Sequence, residues 1–292
     1  MPALLYNQLL TMTEIKSPLR YPGGKTRAIY LIKEFMPPVF NEYREPFLGG
    51  GSFFVHMRQT HPELKFWVND ANPELYFFWK HAQVDSEKLA REVLKMKKNN
   101  SNGRKLFDRL TTIDAATLTG LERAVRFFVL NRITFSGLVE AGGYSQQAFD
   151  QRFTLSAIER VKPLGEFLQG VKITNLDYRK LLENGGKTVF TFLDPPYLKA
   201  AKSRLYGRNG ILHTDFNHDE FVKAMKACKH SWLITYDDSP EIRKNFGFAN
   251  VYEWELQYGM NNYKQGKAEK GRELFLSNYE FKKINRTRTS AG

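Results

Sequence analysis

Cysteine is almost missing from this 292-residue chain, with Cys228 the single one. Its scarcity excludes an internal disulfide and a multi-cysteine zinc site, and it fits a reducing compartment. Cys228 lies at helical spacing with Phe221, Ala224 and Met225, which suits core packing rather than catalysis. Long apolar runs are missing too. No stretch approaches the about 18 residues that a membrane span needs, and the opening MPALLYNQLL lacks the basic region and long apolar core of a secretory signal. A cytoplasmic protein without a membrane partner is expected. There is no internal repeat, no long low-complexity segment, and no cluster of metal-ligand residues, so no metal is expected. Acidic residues are few beside basic ones: 31 Asp and Glu against 44 Lys and Arg leave a net charge of +13. Such an excess favours a polyanionic partner, with nucleic acid the first candidate.

The basic residues gather in KMKKNNSNGRK (95–105), KAAKSRLYGR (199–208), YKQGKAEKGR (263–272) and KKINRTR (282–288). One such run is an ordinary solvated loop, whereas four with an overall excess describe a binding face. Most Phe residues sit in apolar segments, so Tyr206 and Tyr263, inside basic runs, are the rings placed for stacking on bases.

Strand-like runs occur at 43–47, 64–69, 171–177, 188–194, 231–237, 251–257 and 273–280. Helix-like segments fall between many of them. The stretch 26–35 ends at Pro37-Pro38, 52–60 is read as starting at a Ser52 N-cap, and 217–229 carries the capping pair Asn217 and Glu220. Alternation of this kind predicts an α/β fold with a mostly parallel sheet, closed by an antiparallel hairpin of the last two strands. Residues 81–160 differ, being rich in Lys, Arg, Asn and Thr around the periodic helix LERAVRFFVLNRI. They are expected to form a helical insertion, with Gly142-Gly143 turning a short hairpin or loop. The catalytic domain is then 1–80 with 161–285, followed by a basic tail, 286–292.

Two glycine-rich stretches invite nucleotide-binding readings. PGGKT (22–26) ends like a phosphate-binding P-loop, but Leu19 stands where that motif needs its first glycine. EPFLGGGSFF (45–54) resembles a dinucleotide fingerprint, but Phe54 occupies the place of the third glycine. What survives is a glycine turn open to close approach, followed by Asp70 at the end of the next strand. An acid there grips ribose hydroxyls or caps the segment around Asn72-Pro73. TFLDPPYLKA (191–200) is more telling. Pro195 and Pro196 fix their own φ and extend the residue before each, so the Asp194 carboxylate, the Pro195 carbonyl and the Tyr197 ring are held rigidly beyond a strand's C-terminal edge. Open α/β sheets bind their ligands at that edge. Two acceptors beside a ring suit a flat heterocycle that carries an amino group.

Taken in order, RYPGGK, EPFLGGGSFF, NDAN, NRITFSG, NLDY and DPPY make residues 17–280 resemble the bacterial and phage DNA adenine methyltransferases related to Dam. The resemblance implies a Rossmann-like mixed sheet binding S-adenosyl-L-methionine, a helical target-recognition insertion, and methyl transfer to the exocyclic N6 of a flipped-out adenine in double-stranded DNA. It implies a monomer, with a cognate restriction nuclease as the partner in a modification system. By the same resemblance Asp194, Pro195, Pro196 and Tyr197 are the catalytic motif. Tyr21, Lys25, Glu45, Phe47, Gly49, Gly51, Asp70, Asp177, Tyr178 and Asp194 contact the cofactor. Candidate DNA contacts are Lys25, Arg132, Ser136, Tyr144, Gln146, Gln147, Lys202, Arg204 and Tyr206. Residues 137–152 depart from the pattern: they are short and glycine-rich and lack the longer basic hairpin of tetranucleotide-specific relatives, so a GATC target does not carry over. Methylation of cytosine N4 or of an RNA base, and a binding module with a dead site, are the alternatives.

Overall fold

The computed structural model describes residues 14–21, 25, 28–139, 142–198, 216–256 and 271–281. Outside the described residues lie the first thirteen, most of the basic runs at 199–208 and 263–272, and the tail from 282, and with them Lys202, Arg204, Tyr206 and Tyr263.

Seven strands form one sheet: β1 (Glu42–Glu45), β2 (Lys65–Asn69), β3 (Lys172–Thr174), β4 (Val189–Leu193), β5 (Ser231–Asp237), β6 (Asn250–Leu256) and β7 (Gly271–Ser277). Their order is β3-β2-β1-β4-β5-β7-β6. The first five are parallel, and β7 runs antiparallel to both of its neighbours. The predicted terminal hairpin is present, with the last strand inserted between β5 and β6. Strand order reverses between β1 and β4, which makes their C-terminal ends the crevice where such sheets bind ligands. β4 is buried along its whole length, as its apolar sequence requires.

Helices cover the sheet. In chain order they are α1 (Ile29–Glu34), α2 (Ser52–Thr60), α3 (Pro73–Lys98), α4 (Gly103–Thr112), α5 (Gly120–Ile133), α6 (Gln146–Arg152), α7 (Leu155–Glu159), α8 (Leu164–Phe167), α9 (Arg179–Glu183), α10 (His218–Ala227) and α11 (Pro240–Asn245). α2 does not start on a Ser52 cap. Its N-cap is Gly51, left-handed at φ 65°, with no side-chain cap, because the chain must turn sharply from β1 into the helix. A Cβ on Gly51 would also stand 2.8 Å from the Trp79 ring. α3 begins on the Asn72 side chain, which accepts the Glu74 N–H at 2.9 Å, and breaks at Asp85. There the carboxylate recaps the next turn by accepting the Lys88 N–H at 2.9 Å. Buried Glu74 ties α3 to α5 by accepting from Arg123 Nε at 2.9 Å, and Phe78 stacks on Phe128 at 5.7 Å.

β3 is shorter than the 171–177 stretch. Beyond Thr174 the Asn69 side chain replaces the ladder: its Oδ1 accepts the Leu176 N–H at 2.8 Å, and its Nδ2 donates to Leu176 O at 2.9 Å and Pro46 O at 3.1 Å. A backbone satisfied by an amide has no need of further strand pairing.

Arg44 is buried at 1% exposure and holds the chain end of α9 against β1. Its guanidinium donates to Glu42 Oε1 at 2.6 Å, Leu181 O at 2.6 Å, Asn184 O at 2.7 Å and Gly185 O at 3.1 Å. Arg44→Met removes these donors and leaves buried carbonyls without partners, so equilibrium urea unfolding is expected to show a loss of about 2 to 4 kcal/mol. A loss below about 1 kcal/mol, the yield of a single ordinary hydrogen bond, would show that water or backbone rearrangement replaces the guanidinium.

Candidate active site

Acidic side chains collect at the C-terminal edge of the sheet. Glu45 ends β1, Asp70 follows β2, Asp177 follows β3, Asp194 follows β4, and Asp237 ends β5. Glu273 joins them from the antiparallel strand β7, directly opposite Asp237.

Asp194 is fixed from two sides. Thr235 Oγ1 donates to its Oδ1 at 2.7 Å, and the buried Lys25 ammonium lies 2.9 Å from the same oxygen. Among the described residues both partners engage Oδ1, which leaves Oδ2 able to accept from a ligand. Lys25 also stands 5.0 Å above the Tyr197 ring, within cation–π range. The Tyr197 hydroxyl donates to Glu273 Oε2 at 3.0 Å, and its ring stacks on Tyr236 at 5.8 Å. Asp237 Oδ1 accepts the Leu198 N–H at 3.2 Å. The whole segment after β4 is thereby pinned by strands β5 and β7.

On the other side of the switch point the glycine turn, Asp70 and Glu45 form a second group. Asp70 Oδ2 accepts the Gly49 N–H at 2.8 Å and Oδ1 accepts the Asn72 N–H at 2.9 Å. The capping role is therefore real, and the same carboxylate braces the glycine turn. Burial outweighs both hydrogen bonds and pushes its pKa up to about 6. Glu45 is buried, accepts from the Tyr43 hydroxyl, and is held well above the usual carboxylate range by burial, with the charges of Asp194 and Asp70 adding to the rise. Burial, with Asp194 and Asp237 nearby, raises Glu273 to about 7 against the pull of Lys25. What approaches Gly49 and Gly50 most closely is Tyr21: a Cβ on Gly49, at φ 48°, would meet its ring at 2.8 Å. Phe47 and Tyr178 face each other at 5.4 Å beside Phe216 and Phe221, making an aromatic wall next to Asp177. Asp177 itself is exposed and paired with Arg179 at 2.7 Å.

Of the candidate DNA contacts, Lys25 stands at Asp194, while Arg132, Ser136, Tyr144, Gln146 and Gln147 lie at the end of α5 and just beyond it. Phe135–Gly137 is a tight turn with Ser136 at φ 55°, and Thr134 bridges to Tyr144, so the Gly142-Gly143 stretch does close a rudimentary hairpin. Gln146 is held by its own surroundings, accepting from Tyr144 at 2.6 Å and donating to Asp150 at 3.0 Å, while Gln147 is exposed. Arg132 is buried at 4% exposure, and among the described residues its Nε has no hydrogen-bond partner. Burial, together with the charges of Arg160, Arg20 and Arg152, pushes its pKa down to about 9.

Asn131 joins this region to the acidic edge. It accepts the Arg20 N–H at 3.0 Å and donates to Arg20 O at 2.6 Å and Gly137 O at 3.0 Å. Sequence reasoning passed over Asn131, Thr235, Asp237 and Glu273. Asn131 heads NRITFSG, a motif that could have flagged it, but strand residues such as Thr235 and Glu273 carry no local mark.

A mixed sheet whose strand order reverses beside a glycine turn, with acids at its C-terminal edge, is an open α/β architecture that binds its ligand at that edge. The chain belongs to the D12 class N6 adenine-specific DNA methyltransferase family, whose model matches residues 21–260. It is 24% identical over 274 residues to the Type II methyltransferase M1.LlaDCHI of Lactococcus lactis subsp. cremoris, spanning 89% of this chain and 94% of that one. It is 25% identical over 237 residues to the Type II methyltransferase M.MjaIII of Methanocaldococcus jannaschii, spanning 73% and 79%. Among solved structures a human methyltransferase 10 domain containing protein covers 88% of this chain and 82% of its own at TM-score 0.38 and 8% identity. The protein is an adenine-specific DNA methyltransferase. Among the described residues no helix is long and apolar enough to cross a membrane, and no group of His, Cys, Asp and Glu is arranged to hold a metal ion.

Proposed function

We propose that the acidic edge binds S-adenosyl-L-methionine and presents it to an adenine flipped out of double-stranded DNA, with Asp194, Pro195, Pro196 and Tyr197 receiving the base. The observation that carries this reading is the fixed Asp194 carboxylate, held at Oδ1 by Thr235 and Lys25 beside the Tyr197 ring. The cofactor supplies a methyl group already activated on a sulfonium. Its positive charge suits an edge where burial raises the Glu45 and Asp70 carboxyls above their ordinary range, the charges of Asp194 and Asp70 adding to the rise at Glu45. Asp70 is placed for ribose hydroxyls, and the Phe47–Tyr178 wall beside Asp177 is placed for a purine face. Tyr21, Gly49 and Gly51 shape the turn between them.

The amino nitrogen of adenine is a poor nucleophile because its lone pair is delocalised into the ring. Asp194 Oδ2 and the Pro195 carbonyl accept its two N–H bonds, and Tyr197 stacks on the base, so the lone pair is directed out of the ring plane. Asp194 acts as an orienting acceptor. Extruding the base costs a few kcal/mol of stacking and pairing, which phosphate contacts offset. The arginine cluster supports that part: a buried guanidinium among Arg20, Arg152 and Arg160, with an unpartnered N–H, is an electrostatic arrangement that an anion completes. Phe135, 66% exposed on the strained turn, offers a ring to the gap that a flipped base leaves. The helices of 81–160 act as the recognition insertion, and with Gln146 engaged few long side chains remain for base edges, which favours a short target. The reading is of a monomer, with a cognate nuclease as the natural companion of a modification enzyme.

Asp194→Ala should reduce transfer of tritiated methyl to DNA to background while the cofactor dissociation constant changes little. Transfer above a few per cent of the wild-type rate would remove Asp194 from its orienting role.

Cofactor affinity should depend on pH through Asp70. Its native pKa lies above the ordinary value, so the free protein holds a proton there below about 6. Ribose hydroxyls donate best to the ionised form, so calorimetric affinity is expected to rise as pH increases through 6 and to level off above it. Asp70→Asn should flatten that rise. An unchanged rise in this variant would assign the titration to another group.

Arg152→Gln, at an exposed position, should weaken binding to all DNA sequences alike and lower the slope of log affinity against log salt by about 0.9, the yield of one phosphate contact. An unaltered slope would place Arg152 off the DNA.

A further inference from the structure

Asp237 and Glu273 stand directly opposite each other across β5 and β7, both buried, at 7% and 1% exposure. Like charges so paired destabilise a sheet, and burial makes the repulsion stronger. A fold selected for stability alone has no use for this arrangement. Each acid does, however, hold the segment after β4. Asp237 accepts the Leu198 N–H at 3.2 Å, and Glu273 accepts the Tyr197 hydroxyl at 3.0 Å.

We propose that Glu273 is a positioning residue for methyl transfer, fixing the Tyr197 ring through its hydroxyl and thereby the Asp194–Pro195 acceptor pair. The proposal rests on the reading of the site given above. Pro195 and Pro196 fix the backbone of this segment but leave the tyrosine side chain two soft torsions. Tyr236 stacks on one face of the ring at 5.8 Å, and Lys25 lies 5.0 Å from its centre. Neither contact stops the ring from sliding in its own plane. A hydrogen bond at the far tip does: the hydroxyl has the longest lever arm on χ1, while χ2, on whose axis it lies, is left to the Tyr236 stack, and Thr235 on β5 also bonds to Tyr197. Glu273 reaches it from a strand 76 residues away in sequence, and that strand is held on both sides by pairing. The bond thus refers the ring to the rigid sheet instead of to its own loop.

The test uses the full chain, with Glu273→Ala, Glu273→Gln, Tyr197→Phe and the Glu273→Ala/Tyr197→Phe double variant. In Glu273→Ala, kcat for methyl transfer to adenine-containing DNA should fall about 10- to 100-fold, as for a lost hydrogen bond to a charged group, with the cofactor dissociation constant within about twofold. Glu273→Gln should recover part of the loss, because its amide oxygen accepts the same bond. The double variant should be no slower than Tyr197→Phe, because the two changes remove one interaction. A duplex carrying 2-aminopurine at the methylated position reads base placement without transfer. Its emission on binding should change with Glu273→Ala and should change no further in the Tyr197→Phe background. Losses that add in the double variant, or a kcat for Glu273→Ala above about half of wild type, would overturn the role of Glu273. If Glu273→Ala melts more than about 10 °C low, a loss of several kcal/mol, Glu273→Gln combined with Tyr197→Phe decides by the same comparison. A wild-type chain that methylates no adenine would instead overturn the reading of the site itself.

Discussion

The ion pair between Lys25 and Asp194 makes the two halves of the site depend on each other. Lys25 is 5% exposed, and an ammonium so buried is tolerated only beside a carboxylate. Asp194 in turn sits among Glu45, Glu273 and Asp237, whose shared sign would otherwise raise the cost of ionising any of them. One ammonium therefore offsets the charge of Asp194 after β4 and pulls on Glu273 of β7 as well. It also fixes the segment that bears it. That segment packs Tyr21 onto the glycine turn, and Ser17 donates its hydroxyl to Gly50 O, so the turn, Asp70 and the Asp194 loop share a single reference frame.

Charge is segregated across the molecule in a way that suits two ligands of opposite sign. At the sheet edge burial raises Glu45, Asp70 and Glu273 above their ordinary range, which makes their ionised forms unfavourable until a cation arrives. The region at the end of α5 gathers guanidinium groups around buried Arg132, which is unfavourable until an anion arrives. Neither cluster improves the stability of the empty protein. Both are preorganised, so a cationic methyl donor and an anionic duplex meet fields that are already oriented.

Much of this was legible in sequence, for a definite reason. Strand ends, acids and prolines are local signals, so Asp70, Asp194 and Tyr197 could be placed at the C-terminal edge before any coordinates, and the β6–β7 hairpin followed from two successive strands with only a basic loop between them. Interactions that join distant segments were not legible. Glu273 reads as one more polar residue alternating with Leu274 and Phe275, and nothing local says that β7 lies beside β5. Ser52 looked like a helix cap because serine commonly is one, whereas the left-handed Gly51 had already taken that position. β3 stopped early because Asn69, on another strand, supplied the hydrogen bonds that its own continuation would have made. In each case tertiary competition for a backbone group overrode local preference.

Asn131 shows how such long-range bonding couples recognition to chemistry. Its amide holds both the N–H and the carbonyl of Arg20 and also the carbonyl of Gly137, so the turn at 135–137 and the segment leading to Lys25 are joined by one buried side chain. Arg20 Nη1 adds a further bond to Thr134 O at 3.2 Å. Gly137, at φ 77°, leaves no room for a Cβ, which would stand 2.6 Å from Arg20 O. The two backbones are therefore in contact without a cushion of side chains. The turn cannot shift against DNA unless one of these bonds breaks or the Arg20 segment moves with it. The turn beside the residues proposed to meet the duplex is thus tied through Asn131 to the Arg20 backbone, which enters the site next to Tyr21 and the glycine turn, so the two cannot move independently.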